Sequence, residues 1–142
     1  MCFSIFKKKV KPMLKSEMSS SEVWDLIRVM GLDIDTKKVN FADAKHRTIP
    51  NQEFRDFLSG NRINLIKWSK LWDCDDFSIR MISDVHAKFP GCMCGMVWYI
   101  KTDGSGHSIN IVLLDDGIYF LEPQNDFLFT KLEGRINFML II

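Results

Sequence analysis

The sequence predicts an α+β fold, with helices in roughly the first 90 residues and an antiparallel sheet after them. Apolar residues recur at helical spacing around residues 22–30, 51–58 and 74–88. After Pro90-Gly91, apolar and polar residues alternate in segments separated by turns that contain glycine, a pattern typical of antiparallel strands. Because the helices precede the strands, we expect the two kinds of element to form separate layers of one domain.

Each helix has a recognisable boundary. Gly31 and Gly60 follow the first two helices, as glycine commonly does at a helix C-terminus. Asp73 is a suitable N-cap for the third helix, and Asp76 three positions later completes a capping box. Four apolar residues of this helix recur every four positions and predict one buried face: Phe77, Met81, Val85 and Phe89.

The second half of the chain predicts strands at 96–101, 107–114, 118–122 and 137–142, and an earlier strand is predicted at 62–71. Asp115-Asp116-Gly117 indicates a hairpin turn between two of these strands. Pro123 cannot donate a ladder hydrogen bond, so the returning strand is expected to end at Glu122.

One domain accounts for the length and composition of the chain. With 142 residues, of which 46% are hydrophobic and 26% charged, it can bury a sizeable core in a single unit. We expect this domain at residues 18–142, after a flexible basic N-terminal arm at residues 1–17. The net charge of +1 provides no general basic field, so specific nucleic-acid binding is not expected.

The composition predicts a cytoplasmic protein. The four cysteines, at positions 2, 74, 92 and 94, are too unevenly spaced for a disulfide framework. No apolar run is long enough to span a bilayer, and the apolar residues at the N-terminus precede the basic ones, the reverse of a signal peptide. The basic arm could contact an anionic membrane surface, although a solvated terminus is commoner for such a segment.

Cys74, His107 and Glu122 form the candidate catalytic group. Cys74 is expected in the first turn of the third helix, where unpaired backbone N–H groups and the helix dipole stabilise a thiolate. His107 opens a strand after a glycine-rich turn and could act as the base for Cys74. Glu122 ends the returning strand, where its carboxylate could orient the imidazole as the acid of a triad does.

The register of the hairpin bears on the choice of orienting acid. A turn at 116–117 places Glu122 on the same face as His107 but well along the strand from it. The same register places Asp126 opposite His107 and Gln124 on a diagonal, so both remain substitutes for Glu122. A turn that begins at 114 or 115 brings Glu122 closer to the histidine.

Three segments resemble motifs of a papain-like group of cysteine peptidase domains. They are Trp72-Asp73-Cys74-Asp75-Asp76-Phe77-Ser78, Gly106-His107-Ser108-Ile109-Asn110 and Leu121-Glu122-Pro123-Gln124. The group includes the C-terminal domain of the Marasmius oreades agglutinin and bacterial and phage proteins described as lectin MOA-related. The resemblance covers about residues 40–126, and nothing in the chain matches the sugar-binding trefoil domain of the agglutinin.

The resemblance implies a papain-like fold, in which N-terminal helices and a helix bearing the nucleophile pack on an antiparallel sheet. It also implies a calcium-dependent cysteine hydrolase that cleaves peptide or amide bonds of a peptide or protein substrate. Cys74 matches the thiol nucleophile, His107 the base and Glu122 the orienting acid. A phage protein of this kind would act in the cytoplasm of its host cell.

A calcium site is the second implication of the resemblance. Asp75, Asp76 and Gln124 match positions associated with calcium, and hard oxygen ligands favour Ca²⁺ over zinc. Without a cation, Asp75 and Asp76 would oppose formation of the Cys74 thiolate, because neighbouring negative charge raises the pKa of a thiol. Calcium is therefore the expected cofactor and would gate the cysteine.

Two other functions fit the same residues. One is a non-catalytic, phage-type binding module on the same fold; the other is a transglutaminase-like acyltransferase, which accepts an amine instead of water. The side chain of an oxyanion hole is not identified, and Gln52, Asn61 and Asn64 are weak candidates. Zinc needs four ligands, so the Cys92-Met93-Cys94 segment is expected to contain two buried thiols, not a metal site.

Overall fold

Nine strands and three helices are found in the part of the chain that the computed structural model describes, residues 13–142. The strands are β1 Glu17–Ser19, β2 Asp33–Ile34, β3 Val39–Phe41, β4 Lys45–Arg47, β5 Cys94–Ile100, β6 Gly106–Leu114, β7 Gly117–Glu122, β8 Phe127–Phe129 and β9 Arg135–Ile141. The helices are α1 Ser20–Arg28, α2 Asn51–Gly60 and α3 Cys74–Lys88. Single 3₁₀ turns lie at Thr36–Lys38 and Ile63–Leu65.

A seven-stranded sheet with the strand order β2-β9-β5-β6-β7-β8 organises the molecule, and β3 also pairs with β9. Short strands β2 and β3 run parallel to β9, whereas the four pairs from β9 to β8 are antiparallel. Strands β1 and β4 form a separate antiparallel pair. The predicted α+β class is therefore confirmed: three helices accompany a largely antiparallel sheet.

Helices cover both faces of the large sheet. Helix α1 buries Val23 and Ile27 in a core with one face of β5, β6, β7 and β9, and α2 and α3 share a second core with the opposite face. Alternate residues of β6 therefore enter different cores, so Ile111 and Val112 are both fully buried. This explains why β6 reads as an almost continuous apolar run after Asn110.

Helix α3 begins and ends close to the predicted boundaries. The Asp73 side chain accepts a hydrogen bond from the Asp75 N–H (3.4 Å), and the Asp76 carboxylate accepts one from the Asp73 N–H (3.1 Å), which completes the predicted capping box. Phe77 and Met81 are buried against the sheet. The helix ends at Lys88, just before Pro90-Gly91.

The predicted strand at 62–71 is wrong. This segment contains the 3₁₀ turn at Ile63–Leu65 and a tight turn from Ser69 to Trp72, and its residues from Leu65 to Leu71 are exposed. Alternation of apolar and polar residues predicts a strand only if the apolar side chains are buried in a core. In this segment most of the apolar side chains face solvent, so the alternation did not indicate a strand.

The predicted N-terminal arm falls mostly outside the described residues, which begin at Met13. The division into an arm at 1–17 and a domain at 18–142 stays a prediction. No helix within residues 13–142 is both long enough and apolar enough to cross a membrane.

Candidate functional site

His107 and Glu122 form a close polar pair at the end of the sheet. The His107 Nε2 atom lies 2.6 Å from Glu122 Oε2, and these side chains are only 12% and 18% exposed. The Gln124 backbone N–H donates to the other Glu122 oxygen (3.2 Å). Glu122 is thus the carboxylate that contacts the imidazole, while neither of its proposed substitutes, Gln124 and Asp126, hydrogen-bonds to His107 in the described part of the chain.

The hairpin turn explains why Glu122 reaches His107. Leu114 pairs with Gly117, so the two-residue turn is Asp115-Asp116, not the later turn that places Glu122 farther along the strand. Both turn carboxylates are anchored to Asn51 at the start of α2, through its backbone N–H (3.1 Å) and its side-chain amide (3.0 Å). This anchoring involves residues more than 60 positions apart, so strand alternation could not predict it.

Cys74 lies in the first turn of α3, as predicted, but its surroundings do not favour a thiolate. Burial raises the pKa of the Cys74 thiol above its ordinary value, and the charges of Asp73 and Asp75 raise it further. The neighbouring Ser108 backbone N–H lowers the pKa of the thiol, but its effect is smaller than that of burial. The expected benefit of the helix N-terminus is therefore outweighed by desolvation and by neighbouring carboxylates.

Cys74 and His107 approach the same part of the sheet without a direct hydrogen bond between them in residues 13–142. The Cys74 sulfur contacts the backbone of Ser108, the residue after His107. Tyr99 lies beside His107, with its ring packed edge-on against the imidazole (5.9 Å between centroids). Burial raises the pKa of Tyr99, and the charges of Glu122 and Cys74 raise it further. The sequence analysis missed Tyr99, because its position depends on the β5–β6 pairing.

A buried polar network beneath Cys74 was also missed. Ser78 Oγ donates to the Cys74 carbonyl (3.0 Å), and Ser108 Oγ donates to Ser78 Oγ (3.0 Å). The Asn110 side-chain amide donates to the carbonyls of Ser78 (2.9 Å) and Gly95 (3.1 Å). Ser78, Ser108 and Asn110 are fully buried, so this network fixes the first turns of α3 on β5 and β6. In the sequence, Ser108 and Asn110 are polar residues within the otherwise apolar β6 segment, and this is the feature from which the network could have been predicted.

The acidic residues around Cys74 supply only part of a ligand set for a cation. Ligand atoms of Asp73, Cys74 and Asp75 lie within 4.8 Å of one another. The neighbouring Asp73 carboxylate raises the pKa of Asp75, as expected for two carboxylates held together. Of the other predicted ligands, Asp76 caps the helix and Gln124 contacts Glu122 through its backbone. Calcium binding by Asp75, Asp76 and Gln124 stays a prediction.

The remaining candidates lie elsewhere. Gln52 donates to Asp56 and Asn61 donates to Asp84, so these amides are held on the α2 side of the molecule. Cys92 and Cys94 are buried, as predicted, and burial raises the pKa of Cys92 to about 12. These two cysteines are therefore inert thiols of the second core.

The comparisons with known proteins show similarity of fold. No protein-family model matches the sequence, and a search of curated proteins found no match. One similar solved structure is a "PSL1a-E64 complex", with a TM-score of 0.75, 19% identity, and coverage of 89% of this chain and 51% of that chain. Another is Polyporus squamosus lectin bound to the human-type influenza-binding epitope Neu5Aca2-6Galb1-4GlcNAc, with a TM-score of 0.71, 19% identity, and coverage of 89% and 50%.

These neighbours change the functional conclusion. The chain spans about half the length of each neighbour, and at 19% identity the likeness shows the fold alone. The resemblance to agglutinin-type lectins is confirmed at the level of fold class, but no peptidase evidence accompanies it. The prediction of a calcium-dependent cysteine hydrolase, a cysteine protease with a thiol nucleophile, is wrong, since the structural neighbours are lectins. The comparisons therefore show that this chain shares its fold with about half of Polyporus squamosus lectin.

Proposed function

We propose that this chain is a non-catalytic binding module whose ligand is a glycan. The binding cleft in this proposal lies where Cys74, His107 and Glu122 approach one another. In this proposal the helix-borne Cys74 and the sheet-borne His107 provide the framework of a cleft and not a reacting centre. The lectin neighbours support a sugar ligand, because one of them is bound to a sialylated trisaccharide.

The observation that carries the proposal is the His107–Glu122 pair, which is fixed at 2.6 Å and remains partly open to solvent. A sugar presents several hydroxyl groups, each of which can donate and accept a hydrogen bond. Glu122 offers an acceptor, and the imidazole adds a ring nitrogen whose role depends on its tautomer. Since both side chains are held by each other and by the Gln124 N–H, little conformational entropy would be lost on binding.

One exposed aromatic side chain lies on the strand beside β6 but on the other face of the sheet. Trp98 is 44% exposed and lies directly across from Ser108, so strand alternation places it on the opposite face from His107 and Glu122. The proposed cleft is therefore built from the polar groups of His107 and Glu122 and not from this indole.

The test is binding of the full chain to an immobilised glycan array that includes Neu5Aca2-6Galb1-4GlcNAc, followed by calorimetry with the best ligand. Glu122→Gln is expected to weaken binding at least about tenfold, since it removes a contact worth about 1.4 kcal/mol or more. Val29→Ala is the control, because Val29 is an exposed apolar residue at the end of α1, in a different element from Cys74, His107 and Glu122. Circular dichroism must show that each variant is folded.

Two results would contradict the proposal. One is the absence of binding to any glycan on the array by folded wild-type protein. The other is Cys74-dependent turnover, measured as cleavage of labelled casein or as incorporation of a fluorescent amine into casein. Amine incorporation would favour the acyltransferase alternative.

A further inference from the structure

The segment 65–71, which we call the apolar loop, is the most exposed apolar part of the described chain. It joins the 3₁₀ turn at Ile63–Leu65 to the residues that cap α3. All seven of its side chains are exposed, and four of them are large and apolar: Leu65, Ile66, Trp68 and Leu71. Single exposed apolar residues are ordinary, but a contiguous group of them marks an interaction site.

The end of the apolar loop has a defined backbone shape. Ser69 and Trp72 exchange two backbone hydrogen bonds, of 2.9 and 3.2 Å, and the Leu71 N–H donates to Ser69 Oγ (3.2 Å). This turn leaves Leu71 at its tip, with 93% of its surface exposed, and Trp68 is 55% exposed just before it. The loop therefore projects apolar side chains on a preformed convex turn, and ordering it on a surface would cost little entropy.

The charges of the apolar loop indicate what kind of surface it fits. Lys67 and Lys70 lie on either side of Trp68, are exposed, and make no ion pair with any residue between 13 and 142. The nearest carboxylates along the chain, Asp73 and Asp75, are half-buried at the start of α3. Two unpaired lysines beside protruding tryptophan and leucine match the boundary of an anionic bilayer, where headgroups attract lysine and the acyl region accepts apolar side chains.

We propose that the apolar loop docks the protein on an anionic membrane surface. Leu71 and Trp68 enter the headgroup region, while Lys67 and Lys70 contact anionic lipid headgroups. A convex tip of two apolar side chains suits a deformable lipid surface better than a protein groove. Because Asp73 and Cys74 follow the loop directly, docking would hold the proposed glycan-binding cleft close to the membrane. The inference does not depend on the glycan proposal, because it rests on the loop alone.

The experiment is co-sedimentation of the full chain with vesicles of phosphatidylcholine alone and of phosphatidylcholine with 30% phosphatidylserine. We expect binding to the anionic vesicles that weakens as salt is raised, because lysine contacts are screened. Leu71→Ser and the double change Lys67→Ser with Lys70→Ser are each expected to lower the partition coefficient at least about tenfold. Phe127→Ser is the control, since it removes an exposed apolar side chain outside the apolar loop and should bind as wild type.

Tryptophan fluorescence provides a second readout. Anionic vesicles should shift the wild-type emission to the blue, and Trp68→Phe should remove most of that shift while largely preserving binding. The proposal is overturned if the folded wild type does not bind anionic vesicles. It is also overturned if the loop variants bind as tightly as wild type, because another part of the chain, such as the basic residues before Met13, would then be responsible. Equal binding to both vesicle types would refute the role of the lysines.

Discussion

Replacing Gly95 with alanine should destabilise the protein, because β5 and β9 approach each other too closely for a side chain at this position. A Cβ atom placed on Gly95 would lie 2.0 Å from the Leu140 carbonyl oxygen and 3.0 Å from the Ile141 Cα. Real Cβ atoms essentially never lie within 3.0 Å of another heavy atom in this way, so β9 must move by at least about 1 Å. The obstacle is backbone, which cannot rotate aside as a side chain can.

The size of the effect follows from what this displacement breaks. Overpacking costs about 1–3 kcal/mol, and stretching one or two ladder hydrogen bonds between β5 and β9 adds about 1 kcal/mol each. Gly95→Ala should therefore lower the free energy of unfolding by about 2–5 kcal/mol. For a chain of this length, that corresponds to a fall in Tm of roughly 10 °C. Since the Gly95 carbonyl also accepts from Asn110, the network beneath Cys74 should loosen as well.

Urea unfolding followed by circular dichroism measures the effect, with Gly60→Ala as the control. Gly60 is the last residue of α2, and nothing lies within 4 Å of a Cβ placed there. Alanine at this position should leave stability unchanged or raise it by up to about 1 kcal/mol, because it restricts the unfolded chain. A loss of less than about 1 kcal/mol for Gly95→Ala, or equal losses for the two variants, would refute the close approach of β5 and β9.

Three further predictions concern buried or clustered polar groups. Asn110→Leu keeps roughly the volume of the side chain but removes two buried hydrogen bonds, so urea unfolding should show a loss of about 2–3 kcal/mol; a loss near zero would contradict the network. Burial raises the pKa of Asp126 above its ordinary value of 3.8, so the ionised carboxylate destabilises the folded state at neutral pH. This destabilisation disappears as the pH falls towards 3.8, because the carboxylate is then protonated. Asp126→Asn, which also suits the φ of 59°, should therefore raise the Tm at pH 7 but not near pH 3, and equal gains at both pH values would refute this. If the predicted calcium site exists, millimolar calcium should raise the Tm of the wild type above its value in chelator, and the rise should be much smaller in Asp75→Asn. An unchanged Tm of the wild type would contradict the site.

Several features of the site could be predicted because they depend on neighbouring residues. The α3 capping box needs only Asp73 and Asp76 at the right spacing, and the structure contains both of its hydrogen bonds. The shared face of His107 and Glu122 follows from strand alternation and a hairpin. Cys74 at the start of α3 follows from the cap. These features involve contacts over a few residues, so the sequence pattern was sufficient.

Other features were missed because they depend on distant residues. The sequence alone leaves the hairpin register open, because the Asp115-Asp116 turn is anchored by Asn51, which is distant in the chain. The 62–71 segment has a strand-like pattern, but the pattern does not show that Trp68 and Leu71 face solvent. Tyr99 and the network of Ser108 and Asn110 join the site only through the pairing of β5 with β6 and the packing of α3. None of these contacts is local.

By itself, the sequence determined the α+β class, the start of α3 and the shared face of His107 and Glu122, because hydrogen-bond geometry and side-chain periodicity act over a few residues. Only the tertiary structure decided how the Cys74 thiol is surrounded. The helix N-terminus favours a Cys74 thiolate locally, but burial under the folded chain raises the thiol pKa, and that cost arises from residues that are distant in sequence. Exposure of the apolar loop was decided in the same way, since it depends on which surfaces the rest of the fold leaves uncovered.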